Sequence, residues 1–391
     1  MPESAQTPLP WRALIVLSVV AMTSAVGMGT SVLAVPILLE GKGYSASLIG
    51  FLAAVYSMGL LVTGLAVPAL IRFYGHVVVI IGGSVTLIIG TLLTPVLIDI
   101  MAGLMAARFL AGIGTALVWV ASESWFCRLS VGRNLSRLVG IYFSSWGVGA
   151  GLGALLVLWL DSNSAQPFIL HAVMEGMTIP AIAWIAAKDL RGQNNTGLIK
   201  PFYDVIRTAP LIPMLAILAG IAEVAVFALW PVYALRIGWV ELWAGLGLVA
   251  FIFGGVIAPI LIGEGVRGLA NKTMILIIVL LSVAAIVLVM GHGAPSLWML
   301  GSLFIWGGAA AGLYTIIMIL VGGLASGDDV TIGNSLLVTF YTMGMVVGPY
   351  LAGVLMDVFS LRALFWFLLV INGAIALVSM IQKNSVEQKT L

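Results

Sequence analysis

Charged side chains are scarce in this sequence: 8% of its 391 residues are Asp, Glu, Lys or Arg, whereas 62% are hydrophobic. A soluble protein cannot bury that much apolar surface, because its interior grows too slowly with chain length. The composition therefore excludes a soluble globular protein and indicates a chain that lies in a lipid bilayer. A formal net charge of +2, without aromatic residues interleaved among the basic ones, indicates no nucleic-acid partner.

Cysteine and histidine are equally sparse. Cys127 is the only cysteine and there are three histidines, so the sequence offers no internal disulfide and no Cys/His cluster for a metal. It also lacks the G-x-x-x-x-G-K-[ST] pattern of a phosphate-binding loop. No set of Ser, His and Asp lies at a matching depth. We therefore predict that the chain is not an enzyme, uses no cofactor or metal, and does not itself hydrolyse ATP.

Long apolar runs are what the sequence does contain. Runs of about 20 apolar residues are typical of helices that cross a hydrocarbon layer about 30 Å thick. The fold class that they predict is all-α integral membrane, with twelve transmembrane helices. The first run is too long for a signal peptide and is predicted to be a retained helix. We number these predicted spans 1 to 12: 14–38, 47–71, 77–98, 101–126, 138–160, 167–187, 209–234, 242–263, 273–291, 297–324, 330–356 and 361–382.

The distribution of Lys and Arg predicts the orientation. With the N-terminus inside, thirteen of these residues fall in inside segments, and Lys42, Arg236 and Arg362 fall in outside loops. Positively charged loops stay on the cytoplasmic side, so both termini are predicted to be cytoplasmic. Short loops and the lack of a large extra domain favour the inner (cytoplasmic) membrane of a bacterium. We also expect the protein to function as a monomer.

Two short patterns indicate an internal repeat. G-x-x-x-P-x-L occurs at 64–70 and again at 255–261, and F-x-x-x-G-x-x-x-G occurs at 143–151 and again at 340–348. The first pair is 191 residues apart and the second 197, since 255 − 64 = 191 and 340 − 143 = 197. With six spans on either side of the middle of the chain, these matches predict two related halves.

The longest polar stretch, 188–208, separates these halves. We predict an N-terminal six-helix bundle over 1–187, a cytoplasmic linker over 188–208, and a C-terminal six-helix bundle over 209–391. Paired six-helix halves with pseudo-two-fold symmetry are a transporter architecture, with the substrate site between the halves near the midplane of the membrane.

Span 4 carries a motif that resembles one of the major facilitator superfamily. Residues 108–116, RFLAGIGTA, are similar to that family's fourth-helix motif, an arginine followed by spaced glycines. The glycines at 147, 151 and 153 resemble its fifth-helix motif, and those at 344, 348 and 353 echo it in span 11. The resemblance covers nearly the whole chain. It implies a transporter that alternates access between two six-helix halves.

The loop after span 2 departs from the family pattern. Gly64, Arg72, Gly75 and His76 match it, but the aspartate of the motif is missing, and with it one partner of the usual inner-gate pair. Span 4 ends in Ser-Glu-Ser-Trp at 122–125, which suggests a less common branch of the superfamily.

Glu123 is the candidate substitute for this missing aspartate. We predict an inner gate in which Glu123 pairs with Arg72, Arg128 or Arg133. The alternative is an acid at the membrane interface, wetted by lipid headgroups.

Three further charges lie inside spans: Arg108, Glu175 and Glu223. A charge at mid-bilayer costs about 3 kcal/mol on insertion scales, so it usually faces a partner or a wet cavity. By depth the three are expected to share one layer in the outer half of the membrane. Arg108 cannot shed its charge and needs an acid, carbonyl groups or an anionic substrate, or else it ties span 4 to a neighbouring backbone. We assign all three to substrate binding or proton coupling.

The two acids are candidates for carrying a proton. A buried carboxyl group can gain and release a proton as its surroundings alternate. Of the two, Glu223 is favoured, because span 7 usually borders the central cavity in the family that the chain resembles. His171 lies one turn before Glu175 and is expected to be a wet, non-functional side chain near the outer interface.

Aromatic residues on the predicted cavity-lining spans suggest the character of the substrate. Their large apolar faces with polar tips suit planar or amphipathic ligands. The candidates are Tyr56, Trp119, Tyr142, Trp146, Phe227, Trp230, Tyr233, Trp306, Tyr314 and Tyr341.

These features together predict a proton-coupled secondary transporter that works by alternating access. Its partners would be a small-molecule substrate, protons and the lipid bilayer. Our first hypothesis is an exporter of amphipathic compounds. The alternatives are an importer of a small aromatic or anionic nutrient, held by Arg108, and a non-transporting membrane receptor built on a transporter fold.

Overall fold

The computed structural model describes residues 11–129, 135–189, 210–265, 271–324 and 329–381, and every regular element in them is an α helix. The prediction of an all-α fold is thus confirmed. We number the helices in chain order as α1 Trp11–Gly41, α2 Ala46–Val96, α3 Met101–Leu129, α4 Leu135–Val157, α5 Gln166–Asp189, α6 Leu211–Arg236, α7 Glu241–Gly265, α8 Asn271–Gly291, α9 Leu297–Leu324, α10 Asp329–Val358 and α11 Ala363–Ile381.

Helix α2 accounts for two of the predicted spans. Its 51 residues are interrupted at Gly75, whose φ of 80° and ψ of 161° are not helical and are readily adopted only by glycine. Both arms pack on backbone atoms of α3. Gly59, before the break, lies against Phe109 and Ile113, and Gly90, after it, lies against Ala107 and Ala111. The two arms therefore lie side by side on α3, which requires the chain to reverse between them.

Nine helices of the described residues, α2 counted once, are long and apolar enough to cross a membrane, and the described parts of α4 and α7 are shorter apolar helices. With its two arms counted separately, α2 brings the eleven helices into correspondence with the twelve predicted spans. Span 4 is α3, and each later span is likewise the helix numbered one lower.

Close glycine contacts show how the two halves correspond. A side chain on any of these glycines would collide with a backbone carbonyl of the neighbouring helix. Each contact in the first half has a counterpart 195 residues later, since 307 − 112 and 251 − 56 both equal 195. The four matched pairs are Gly112–Tyr56 with Gly307–Phe251, Gly59–Phe109 with Gly254–Phe304, Gly149–Met22 with Gly344–Ile217, and Gly153–Val26 with Gly348–Ile221.

The packing of the two halves therefore shows an internal repeat. Its offset is 195 residues, so the offsets of 191 and 197 predicted from sequence patterns are wrong. Glycine recurs often in a chain with 46 glycines, so short glycine patterns also match out of register. Gly147 of the predicted pattern, for example, faces Val256 of the other half, whereas Gly149 makes the contact that the repeat preserves.

The two ends of the bundle differ in how the halves meet. We call the end formed by loops 42–45, 237–240 and 359–362 the Arg236 end, and the opposite end, where α2 reverses at Gly75, the Arg72 end. At the Arg236 end one hydrophobic core is continuous across both halves. Towards the Arg72 end the core divides into two, one in each half.

Backbone contacts between the halves follow the same pattern. A Cβ atom on Gly50 of α2 would lie 2.1 Å from the carbonyl oxygen of Pro349 in the opposite half. A Cβ atom on Gly353 of α10 would likewise lie 2.3 Å from the carbonyl oxygen of Ala46. Further along α2 towards the Arg72 end, Gly64 has no neighbouring atom within 4 Å of its built Cβ. Among the described residues, the halves are therefore in close backbone contact at the Arg236 end and have separate hydrophobic cores towards the other.

Candidate functional site

Two aromatic pairs occupy equivalent positions in the two halves. Trp119 of α3 stacks on Trp146 of α4, with ring centroids 6.0 Å apart. Tyr314 of α9 meets Tyr341 of α10 edge to face, with centroids 5.1 Å apart. The 195-residue offset relates 119 to 314 and 146 to 341. Each half thus presents one pair of rings, and all four residues belong to the predicted cavity lining.

Glu223 is linked to one of these pairs. Its Oε2 accepts a hydrogen bond of 2.5 Å from the hydroxyl of Tyr341, which joins α6 to α10. The carboxylate also lines a cavity inside the C-terminal half together with Phe251, Trp306, Ser282 and Asn372. Glu223 is half-buried and lines this cavity, and its partner Tyr341 is a buried residue of the core of the C-terminal half.

Glu175 has a different environment. It is fully buried and accepts hydrogen bonds of 2.6 Å from Ser24 of α1 and from Ser84 in the second arm of α2. Thr178, one turn later on α5, contacts the same carboxylate at 3.4 Å. These hydroxyl groups hold α1, α2 and α5 together around one acid, which makes Glu175 a structural junction of the N-terminal half.

A second cavity, inside the N-terminal half, adjoins this junction. It is lined by Ser24, Thr115 and Ser122 and by the stacked Trp119 and Trp146. Ser24 therefore connects the buried carboxylate of Glu175 to the cavity wall.

Arg108 approaches this cavity through Tyr56. Its guanidinium carbon lies 4.7 Å from the centroid of the Tyr56 ring, in cation–π range, and the Tyr56 hydroxyl donates a 2.8 Å hydrogen bond to Thr115. The Nε atom of Arg108 is buried without a hydrogen-bond partner among the described residues. Within the same residues no carboxylate forms an ion pair with Arg108. Arg108, Glu175 and Glu223 thus have different hydrogen-bond partners, and their placement in one layer stays a prediction.

His171 is not the wet side chain that the sequence suggested. It is 3% exposed, and its Nδ1 lies 2.7 Å from the hydroxyl of Ser31. Gly27 of α1 leaves the space that its ring fills, because a Cβ there would come within 2.2 Å of the ring. The expectation was wrong because depth along α5 places His171 near one end of the helix, whereas the face it occupies points at α1.

The remaining aromatic candidates take several positions. Phe227 and Trp306 both pack edge to face on Phe251 beside the Glu223 cavity. Trp230 and Tyr233 lie in the core that joins the halves, where Trp230 is 1% exposed and donates to the carbonyl of Ala244. Tyr142 lines the N-terminal cavity but is also fully packed against neighbouring rings.

The predicted inner gate lies at the Arg72 end. Glu123 is 6% exposed, so it is a buried acid and not one wetted by lipid headgroups. Arg72 is exposed near the reversal of α2. Arg133 and the side chain of Arg128 lie outside the described residues, so the pairing of Glu123 stays a prediction.

An ion cluster at the Arg236 end was missed from the sequence. Arg236 of α6 bonds Glu40 of α1 through Nε at 2.9 Å and 3.1 Å, and donates from an amino group to the carbonyl of Tyr44 at 2.8 Å. Its other amino group lies 3.4 Å from Asp357 of α10. One arginine of the C-terminal half thus contacts two segments of the N-terminal half.

Asp357 completes this cluster by capping a helix of the other half. Its two oxygens accept hydrogen bonds from the backbone N–H groups of Ala46 at 3.1 Å and Ser47 at 2.7 Å, at the start of α2. A carboxylate at a helix N-terminus satisfies unpaired N–H groups and favours the helix dipole. We call Arg236, Glu40 and Asp357 the Arg236 latch. Sequence reading had treated Arg236 only as a charge in a loop.

Comparisons with known proteins agree with this architecture. The family model described as Major Facilitator Superfamily matches residues 17–307 and 244–390, and the chain belongs to that family. It is 27% identical over 267 residues to the MFS-type transporter YcaD of Escherichia fergusonii, covering 67% of each chain. It is 23% identical over 364 residues to the MFS-type transporter YfkF of Bacillus subtilis, covering 90% of this chain and 91% of that one.

Two solved structures share the fold at low sequence identity. A D-xylose-proton symporter superposes with a TM-score of 0.76 at 13% identity, over 98% of this chain and 100% of its own. The nucleoside transporter NupG superposes with a TM-score of 0.75 at 9% identity, over 97% and 100%. The chain is thus a multi-pass membrane transporter and not an enzyme.

Proposed function

We propose that this protein is a proton-coupled secondary transporter in which Glu223 carries the proton. The observation that carries the proposal is the hydrogen bond between Glu223 and Tyr341. Of the three membrane acids Glu175, Glu223 and Glu123, Glu223 alone is half-buried, and this hydrogen bond joins it to Tyr341 of the predicted cavity lining. The similarity in fold to a D-xylose-proton symporter supports proton coupling.

The hydrogen bond suggests how coupling would work. A carboxylate accepts a charge-assisted hydrogen bond from the Tyr341 hydroxyl, whereas a protonated Glu223 can accept only a weaker, neutral one. Proton uptake therefore weakens the tie between α6 and α10 and frees Tyr341 to shift against Tyr314. Because both rings belong to the predicted cavity lining, Tyr341 would link substrate binding to proton binding.

Alternating access follows from the unequal ends of the bundle. The halves share one core and the Arg236 latch at the Arg236 end, whereas the described residues form two separate cores towards the Arg72 end. On our proposed orientation, with both termini cytoplasmic in a bacterial inner membrane, this state faces inward. Transport requires the latch to open while the Arg72 end closes, as the two proposed bundles rock about the cleft.

The proposed domains keep the boundaries predicted from the sequence, with bundles over 1–187 and 209–391. Most of the proposed linker, 188–208, lies outside the described residues. The Ser-Glu-Ser-Trp sequence at 122–125, in the last two turns of α3, marks the proposed branch, in which the buried Glu123 supplies the inner-gate acid.

The substrate is proposed to be a small amphipathic compound with a flat apolar face, exported against its gradient. Two pairs of rings, Trp119–Trp146 and Tyr314–Tyr341, offer such a face from each half. Import is the second candidate. It is favoured by Arg108, whose buried Nε lacks a protein partner among the described residues and would suit an anionic group.

Proteoliposomes test the proposal. The reconstituted protein, with an imposed pH gradient, is assayed against a panel of radiolabelled aromatic amines, aromatic acids and sugars. We expect accumulation of at least one amphipathic compound, abolished by nigericin, which collapses the pH gradient. If every compound that is transported accumulates equally without the gradient, the coupling proposal fails.

Cysteine labelling tests the orientation. Single cysteines placed within 128–137, at Gln193 and at Leu391 should react with a membrane-impermeant maleimide only after cells are lysed. A cysteine at Trp159, in the loop after α4, should react in intact cells. Labelling of any of the first three sites from outside would overturn the proposed orientation.

A further inference from the structure

We propose that the cavity beside Glu223 is the binding site of the coupling ion, a hydrated monovalent cation, and that Ser282 and Asn372 supply its other protein oxygens. This rests on the proposed function, in which Glu223 is the residue that carries the proton. The cavity lies within the C-terminal half, between α6, α7, α8, α9 and α11. The ion would therefore bind apart from the substrate, and Tyr341 would connect the two sites.

The wall of the cavity is apolar except for three side chains that carry oxygen. Glu223, Ser282 and Asn372 are the side chains in it that carry oxygen, and most of the others are aliphatic or aromatic. Asn372 donates its Nδ2 to the carbonyl of Leu368 at 2.9 Å, which leaves its amide oxygen to accept. A polar cavity with two to four such partners holds water or an ion, whereas an apolar one stays dry.

The repeat shows that these oxygens are not an architectural requirement. The N-terminal half has an equivalent cavity, whose lining includes Met28 and Leu87. The 195-residue offset relates these two residues to Glu223 and Ser282, since 223 − 28 and 282 − 87 both equal 195. Both halves pack through the same glycine contacts, so the fold is built equally well with apolar side chains at these positions. The C-terminal half carries Glu223 and Ser282 at these two positions, whereas the polar side chains of the N-terminal cavity, Ser24, Thr115 and Ser122, stand at other positions.

The electrostatic surroundings of Glu223 favour a cation. Tyr341 of α10 donates to the carboxylate, and Tyr314 of α9 lies within electrostatic range of it and of Glu123. Helices α7, α8 and α11 contribute no charged side chain to the cavity lining within the described residues. A carboxylate enclosed by an apolar wall is costly unless it is neutralised. A hydronium ion or Na⁺, held by three oxygens and water, would neutralise the Glu223 carboxylate. Both ions are monovalent cations that bind oxygen atoms.

The test uses the purified protein in detergent and needs no substrate. In one arm, NaCl replaces choline chloride at fixed pH and ionic strength, and the melting temperature is recorded, since an ion that binds only the folded state stabilises it. In the other arm, pH is titrated without sodium, and the infrared band of protonated carboxyl groups is followed. The variants are Ser282→Ala, Asn372→Ala and Glu223→Gln.

Ser302→Ala is the matched control. Ser302 is also a buried serine of the C-terminal half, but its hydroxyl bonds its own helix at the carbonyl of Trp298, 2.9 Å away, outside the cavity lining. We expect Ser282→Ala and Asn372→Ala each to raise the half-saturating cation concentration about tenfold, the effect of losing one hydrogen bond to a charged group. Ser302→Ala should leave it unchanged, and Glu223→Gln should abolish the response.

The outcomes separate the two ions and the two proposals. A response to sodium over choline identifies Na⁺ as the ion of this site and contradicts the proposed function, in which Glu223 carries the proton. A response in the pH arm alone identifies the hydrated proton and agrees with both proposals. If Ser282→Ala and Asn372→Ala both stay within twofold of the wild type while Glu223→Gln loses the response, Glu223 acts alone: the three-oxygen site is refuted and the proposed function stands. If Glu223→Gln keeps the response, or the wild type shows none in either arm, both fail.

Discussion

Removing the guanidinium of Arg236 should open the end of the bundle that the latch closes. Arg236→Gln loses the bonds to Glu40, the contact with Asp357 and the bond to the Tyr44 carbonyl. The side chains of Arg236, Glu40 and Asp357 are 22%, 18% and 25% exposed, so the pairs are only partly screened by water. Each is worth at most about 1 kcal/mol, and the carbonyl bond adds about as much.

The expected total is about 2 kcal/mol, after allowing for one replacement hydrogen bond by glutamine. Because about 1.4 kcal/mol corresponds to a factor of ten, the ratio of closed to open molecules at the Arg236 end should fall about 30-fold. Asp357→Asn should have a smaller effect in the same direction, since asparagine still caps a helix but carries no charge.

Distances between spin labels measure this shift. Labels on cysteines introduced at Trp159 and Phe359, 73% and 75% exposed on loops of opposite halves, report the separation at the Arg236 end, with Cys127 replaced by serine. The control is Asp99→Asn, which breaks the 3.0 Å ion pair with Lys42. That pair lies at the same end but within the N-terminal half.

The wild type and the Asp99→Asn control should give one short distance, and Arg236→Gln should add a longer one. An Arg236→Gln distribution identical to that of the wild type would refute the latch. A shift of the same size in the control would show that loss of any surface charge suffices, and would refute it equally.

Three further changes have defined expected outcomes. Arg108→Lys should abolish transport despite keeping the charge, because lysine lacks the planar fork that holds an anionic group at two points; uptake at normal expression measures this. Glu175→Ala should lower the free energy of unfolding by about 2–4 kcal/mol, because it leaves the hydroxyls of Ser24 and Ser84 unpaired, and thermal melting will show it. Glu123→Gln should move the resting population further towards the inward-facing state, by more than the roughly 1 kcal/mol of an exposed pair because Glu123 is buried, visible as a longer distance between labels at the Arg72 end.

The length and number of the apolar runs predicted the fold, because a membrane-spanning helix must be both long and apolar. The register of the repeat could not be predicted in the same way. Many glycines satisfy a spacing of four, and only the contact made by each glycine distinguishes Gly149 from Gly147. The reversal within α2 was recognisable from the polar residues around Gly75, but its left-handed backbone was not.

The site was predicted in part, for a physical reason. An acid inside a span is costly to bury, so Glu223 could be selected from the sequence. Tyr314 and Tyr341 could be selected because they are aromatic residues on predicted cavity-lining spans. Glu223 and Tyr341 are 118 positions apart, and Tyr314 and Tyr341 lie on different helices. No local sequence pattern therefore encodes the contacts between them. The Arg236 latch was overlooked because charges at span ends are common, and its partners Glu40 and Asp357 lie 196 and 121 residues away in the chain.

The central claim, that Glu223 couples transport to the proton gradient, is tested most directly by comparing Glu223→Gln with Glu175→Gln in proteoliposomes. Both variants neutralise one buried acid, one in each half. With a pH gradient as the only driving force, Glu175→Gln should still concentrate substrate, and Glu223→Gln should not. Glu223→Gln should nevertheless keep substrate exchange at equal pH, because exchange needs no net proton movement. If Glu223→Gln concentrates substrate as the wild type does, the account is contradicted.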